Sequence, residues 1–317
     1  MQIAPDSTER SALWARRRAR RAHRRRKNLA TAFAAGLAAL LGSVFLFVHE
    51  VALSPARAQE ADDPLTAATR TVAGMDLQVD GFNIHVPEGA ALPAHVVIVL
   101  HGMGSSGLDF SAPARDRADN LGWVLVAPTF NYGNWMDPAV VTGEAETQLP
   151  RIAAFIDQLP WLLHFDVSPK VSLYGFSRGA QTANRFALAY PERVARVAIA
   201  SAGDYTVPAT TMDGQHPLDF PYGVANLDAL FRHTFDRADF LTIPFWIGVG
   251  EADRDPGDVP HQWDSTIGTN RVERAQRFAL WLQGAGMQVT LQMFPGTGHT
   301  ETAAMREAAY DALAAGY

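Results

Sequence analysis

A serine set between two glycines closes an apolar run at residues 171–180, VSLYGFSRGA. Gly175-Phe176-Ser177-Arg178-Gly179 fits the pattern G-x-S-x-G. The pattern has a mechanical reason. A strand that turns sharply into a helix presents the residue at its apex outward, in a strained conformation. Glycines on either side remove side chains that would strike the neighbouring strand and helix. The context suits this, because VSLYGF reads as a strand and RGAQTANRFALAY as a helix. The start of that helix offers N–H groups that favour negative charge beside the serine. A serine hydroxyl alone is a weak nucleophile. It needs a base, and the base needs an acid to orient it.

An elbow of this kind expects its partners in the order Ser, Asp/Glu, His. The acid candidate is Asp253, in IGVGEADRD, just past the end of an apolar strand. Glu251 and Asp255 are its rivals, and a solvated acidic loop is the plainer reading of the same residues. The base candidate is His299, in the glycine-rich FPGTGHT after another strand and before the last helix. His85 and His95 lie too early, His164 ends a helical stretch, His216 and His233 fall in a long connection, and His261 follows the acid loop. None has the paired spacing of a zinc site. Asp253, Asp255 and Asp258 could suggest calcium, but Pro256 and the missing ligand spacing argue against it. Acyl chemistry through a tetrahedral intermediate also needs two fixed N–H donors. One expected donor is the backbone of Arg178, and the other is the backbone of Met103 in His101-Gly102-Met103-Gly104. A tight turn alone would also explain HGMG; its place after the strand HVVIVL favours the donor role.

These residues need a scaffold, and the chain reads as one. GFNIHVP (81–87), HVVIVL (95–100), WVLVAP (123–128), VSLYGF (171–176), RVAIASA (196–202), PFWIGVG (244–250) and VTLQMF (289–294) read as strands. Several are continuous β-branched runs, as in strands buried on both faces. Helical patterns fall between them, at LDFSAPARDRADNLG, at 143–163, after Ser177, at VERAQRFALWLQGAG and at roughly 300–316. Alternation of this kind predicts an α/β fold, a mostly parallel sheet with helices on both faces. Residues 203–243 break the rhythm with a long connection rich in Tyr and Phe. A lid or pocket wall and a satellite core under a long loop are equal readings of it. Tyr132 and Trp135 are further candidate pocket walls, beside Gly102, with ordinary core packing as the alternative.

LHGMG, YGFSRGA, GVGEAD and GTGHT stand in the order and at the places of one family. Over about residues 80–317 the chain resembles the α/β-hydrolases, and the set is far more specific than any one motif. Within that family it resembles exported bacterial esterases of the polyhydroxyalkanoate-depolymerase or feruloyl-esterase type, more than dienelactone hydrolases. The narrower likeness rests on the short aromatic insertion and on APTFNYGNW (127–135). The resemblance implies Ser177 as nucleophile, His299 as base and Asp253 as orienting acid, acting on a small or polymeric carboxylic ester without a cofactor. Arg178 departs from the smaller residues usual after the serine. An ion pair at the sheet edge is the expected use of its charge, with a contact to an acidic substrate group as the alternative. An acyltransferase could use the same triad, a haloperoxidase-like side activity is a lesser option, and a non-catalytic extracytoplasmic binding module would need none of it.

Charge and composition narrow the partners. The chain of 317 residues has 27 Lys/Arg and 33 Asp/Glu, of which residues 1–58 hold 11 and 3; the 16 and 30 that remain give residues 59–317 a net charge of −14. So acidic a segment argues against nucleic acid and anionic membrane surfaces as partners. There are no cysteines, which excludes disulfides, thiolate zinc sites and a cysteine nucleophile. RRRARRAHRRRK (16–27) precedes twenty uncharged residues, Leu29–Val48, and then SPARAQE, with Ala56 and Ala58 spaced like a cleavage site. A secretory signal peptide and an uncleaved signal anchor are both open. Either predicts export of the remainder, with the basic end left inside. The pair Arg25-Arg26 is a weak twin-arginine signal, because Asn28 stands where an apolar residue is usual. The expected order is therefore 1–58 as basic leader and apolar segment, 59–70 as tether, and 71–317 as one α/β-hydrolase domain.

Overall fold

The computed structural model describes residues 72–315, so the basic run, the apolar segment Leu29–Val48 and the tether lie outside the described residues. No helix among the described residues is long and apolar enough to cross a membrane.

The apolar runs form the strands, in one eight-stranded sheet. They are β1 (Met75–Val79), β2 (Phe82–Val86), β3 (Val96–Leu100), β4 (Val124–Pro128), β5 (Val171–Phe176), β6 (Val194–Ala200), β7 (Phe245–Gly250) and β8 (Val289–Phe294). Their spatial order is β1-β2-β4-β3-β5-β6-β7-β8. The pairs β1/β2 and β2/β4 are antiparallel, and every other neighbouring pair is parallel. The long helices are α1 (Arg115–Leu121), α2 (Pro138–Leu163), α3 (Arg178–Ala189), α4 (Arg271–Gly284) and α5 (Ala303–Ala314).

Successive strand residues point to opposite faces, so each buried strand feeds two cores. Val96, Ile98 and Leu100 of β3 join the core with Leu149 and Ile152 of α2, Ala183 and Phe186 of α3, and Val272 and Phe278 of α4. Val97 and Val99 join the opposite core with Ala118 of α1 and Met305 and Tyr310 of α5. Both faces of the sheet are thus covered, which is why these strands read as unbroken apolar runs.

Two differences from the sequence reading have physical causes, and a third observation bears on an alternative it left open. Strand β1 was not foreseen: MDLQV is a short edge strand of alternating burial, without the apolar run that marks its neighbours. Helix α2 starts at Pro138 and not at 143, because the Asp137 side chain accepts from the Ala139 N–H at 2.9 Å and proline suits a first helical position. In 203–243 the satellite-core reading fits most of the aromatic residues. Tyr205, Phe220, Phe231 and Phe240 are buried in the α2–α4 core, so most of the connection is packing.

Candidate active site

Gly175 and Gly179 explain the sharpness of the elbow in numbers. A Cβ on Gly179 would lie 1.9 Å from the Leu100 carbonyl oxygen, and one on Gly175 would lie 2.4 Å from the Gly179 carbonyl oxygen. Helix α3 can therefore start hard against β3 only if both side chains are missing. Ser177 sits between β5 and α3 with φ 55° and ψ −116°, a region that a residue with a Cβ rarely adopts. Such a conformation costs roughly 1–3 kcal/mol and is maintained by the packing around it.

The loop after β8 brings His299 to this apex. His299 Nε2 lies 3.0 Å from Ser177 Oγ. His299 Nδ1 lies 2.8 Å from Oδ2 of Asp253, which follows β7. Gly250 makes the approach possible: a Cβ there would lie 2.2 Å from the Thr297 carbonyl oxygen. The Phe176 ring stacks on the imidazole, with centroids 5.1 Å apart. The rivals of Asp253 are engaged elsewhere. Asp255 accepts from the Gly257 N–H at 2.8 Å as a cap, and Glu251 is exposed.

Asp253 is 3% exposed. Burial would raise its carboxyl, but the hydrogen bond from His299 and the charge of Arg271 outweigh that, and it is held below the usual carboxylate range. Arg271 Nη1 donates to Asp253 Oδ1 at 3.2 Å. Arg271 is a residue the sequence did not single out. It opens α4, eighteen positions from Asp253, and no spacing rule links the two.

The turn His101–Gly104 flanks the serine. A Cβ on Gly102 would lie 3.4 Å from Ser177 Cβ, so turn and elbow are in contact. His101 is buried and pins the turn. The Phe130 N–H donates to its Nε2 at 3.0 Å, which leaves Nδ1 to donate to the Gly102 carbonyl at 2.7 Å. Burial lowers the pKa of His101 in spite of that acceptor, which keeps the ring neutral as this pattern requires. Arg178 is the first residue of α3, so its backbone N–H has no carbonyl one turn back. Its side chain is buried and ion-paired with Glu144, donates to Gln181 Oε1 at 2.6 Å and lies over Tyr132. Glu144 in turn accepts from the Gly133 N–H. Its charge thus fastens the 129–137 loop to α3.

A cavity of about 520 Å³ opens at the apex, lined on its apolar side by Met103, Phe110, Trp135 and Phe176. Ser105, Ser177, His299, Gly102, Arg178, Gln181, Gly203, Asp258, Arg271 and Glu301 complete it. Trp135 and Gly102 are in the wall. Tyr132 is not; it stands behind, against the rings of His101 and Phe130. Gly203 is the one contribution of 203–243 to this lining among the described residues. Glu301 was not foreseen. Its carboxylate is held by the Tyr174 hydroxyl at 2.7 Å and by Arg306 at 2.9 Å.

No family model and no curated protein matches the sequence. Solved structures do match in fold. Poly(aspartic acid) hydrolase-1 from Sphingomonas sp. KT-1 superposes with a TM-score of 0.60 at 19% identity, over 75% of this chain and 97% of that one. LpqC, a poly(3-hydroxybutyrate) depolymerase from Bordetella parapertussis, superposes with a TM-score of 0.56 at 25% identity, over 72% of this chain and 81% of that one. A carboxylesterase from Bacillus cereus gives 0.50 at 14% identity, over 74% and 93%. Altogether 1344 solved chains match, so the architecture is widespread and does not by itself select a substrate. In sheet order, in the elbow after β5 and in likeness to these structures, the chain has the α/β-hydrolase fold.

Proposed function

We propose that this chain is a serine hydrolase that cleaves carboxylic esters through an acyl-enzyme. The observation that carries the reading is the unbroken line of hydrogen bonds from Ser177 Oγ through His299 to Asp253, with Ser177 at positive φ. Asp253 accepts a hydrogen bond from the Nδ1–H of His299 and so keeps the proton on that nitrogen, which leaves the Nε2 lone pair facing the serine hydroxyl. Ser177 Oγ attacks the ester carbonyl while His299 Nε2 takes its proton. The oxyanion turns toward the backbone N–H groups of Arg178 and Met103. His299 then protonates the leaving alcohol, and a water molecule, activated in the same way, releases the acid. The apolar side of the cavity suits an acyl or alcohol group of moderate size, free or at the end of a polyester.

The test is hydrolysis of p-nitrophenyl esters of increasing acyl length by the full-length protein, with Ser177→Ala as control. Wild type is expected to turn over, and the variant to lose at least a thousandfold. Turnover that survives in the variant would remove the serine from the mechanism. Export forms part of the proposal and rests on the basic run followed by Leu29–Val48. Fractionation of cells expressing the full chain should find the activity outside the cytoplasm; activity confined to the cytosol would contradict it.

A further inference from the structure

The carboxylate of Asp253 has two side-chain partners, one on each oxygen. Oδ2 faces His299 Nδ1 at 2.8 Å, and Oδ1 accepts from Arg271 Nη1 at 3.2 Å. The same Nη1 lies 3.2 Å from Asp258 Oδ2, and Nη2 donates to the Asp258 carbonyl at 2.9 Å. Asp258 belongs to the cavity wall, and its side chain is 49% exposed. One guanidinium charge is thus divided between the buried carboxylate of the relay and a carboxylate that faces the space where substrate would sit.

Resting on the serine-hydrolase reading, we propose that Arg271 is a positioning residue of the relay. It locks the second oxygen of Asp253, and by sharing its charge with Asp258 it sets the pH at which the Asp253–His299 pair takes up the proton that silences Ser177.

Geometry gives the first half. A carboxylate held at one oxygen can turn about its Cβ–Cγ bond; a second hydrogen bond, from a planar guanidinium itself tied to a backbone carbonyl, stops it. Electrostatics gives the second half. A cation beside Asp253 offsets part of the negative charge that would otherwise favour a proton on the imidazole. Removal of that cation makes the pair hold its proton up to a higher pH. Removal of the competing negative charge on Asp258 does the reverse. The shift should be smaller, because solvent screens a half-exposed group.

The other charges around the pair are already engaged. Asp204, in the loop after β6, lies 3.6 Å from both Arg185 and Arg274. Tyr205 beside it is fully buried, and burial first, then the charges of Asp253 and Asp204, raise its hydroxyl far above the usual range, so it stays neutral. Glu301 is bound by Tyr174 and Arg306, and Arg178 by Glu144. Beside His299, Arg271 is the charged group that touches Asp253 directly.

The test needs no knowledge of the natural substrate. The rate constant for labelling of Ser177 by an alkyl fluorophosphonate is measured against pH on the full-length protein, for wild type, Arg271→Met, Arg271→Lys and Asp258→Asn. The midpoint of the acid limb should rise by about half a pH unit or more in Arg271→Met, a threefold or greater change in proton affinity. It should fall in Asp258→Asn. Arg271→Lys should keep the midpoint near wild type and lower the plateau rate, because it retains the charge and loses the fork. Circular dichroism tests whether Arg271→Met folds; if it does not, the other two variants decide. Plateau rates that fall with unmoved midpoints in every folded variant would make Arg271 a structural residue only and overturn the proposal. A wild-type chain that does not label at Ser177 overturns the hydrolase reading, and this proposal with it.

Discussion

His101 acts through the two hydrogen bonds it holds, not through a proton it could exchange. Its Nε2 accepts from Phe130 and its Nδ1 donates to Gly102, so one neutral tautomer fixes the turn whose Gly102 touches Ser177 and whose Met103 lines the cavity. His101→Ala should loosen a donor needed only when negative charge develops. The expected result on a p-nitrophenyl ester is a kcat lower by about tenfold to a hundredfold with KM little changed, somewhat less than the loss of a whole oxyanion donor. A change in KM alone would place the turn in ground-state binding instead. At this scale the sequence was informative wherever a motif carried its own geometry. Ser177, Asp253 and His299 could be named because each follows a strand end in an expected order. Arg271 and Glu301 could not, because their importance lies in which residue they meet across the fold, and neither sits in a recognisable pattern.

The elements were legible where burial on both sides leaves a mark. The runs that became β3 to β7 could be read directly, since a strand between two cores has little polar face. The antiparallel edge strand β1 has only five residues and a mixed pattern, and it passed unseen. Glycines divide in the same way between those that hold elements together and those that merely weaken one. Gly179→Ala would drive a Cβ into the Leu100 carbonyl, a clash with backbone on both sides that no rotamer relieves. It should abolish the cooperative thermal transition or lower it drastically. Gly143 lies exposed in the interior of α2 with nothing within 4 Å of its would-be Cβ. Gly143→Ala should raise stability by about 0.5–1 kcal/mol, seen as a higher melting temperature with unchanged activity.

Across the whole molecule, the helix that follows Ser177 and the helix that begins with Arg271 are tied by a buried ionic network. Asp204 lies 3.6 Å from Arg185 of α3 and 3.6 Å from Arg274 of α4, and all three are buried. Arg274 also donates to the carbonyls of Gly203 and Gly268, at 2.8 and 2.9 Å. Asp204→Ala would leave two guanidinium groups in the interior without their shared carboxylate. Loss of one partner from a buried pair typically costs about 3–5 kcal/mol, and urea unfolding should show a loss of that size. A loss under about 1 kcal/mol would mean that the backbone carbonyls suffice. The site draws its parts from widely separated places: Ser177 and His299 are 122 residues apart, and Asp253 and His299 are 46 apart. That spacing has a consequence in time. A chain emerging from a ribosome at roughly 5–20 residues per second exposes the serine many seconds before the histidine. On the serine-hydrolase reading, Ser177 stays chemically ordinary until the last strand joins the sheet and His299 reaches it. On that reading, reactivity is switched on by the same event that completes the sheet.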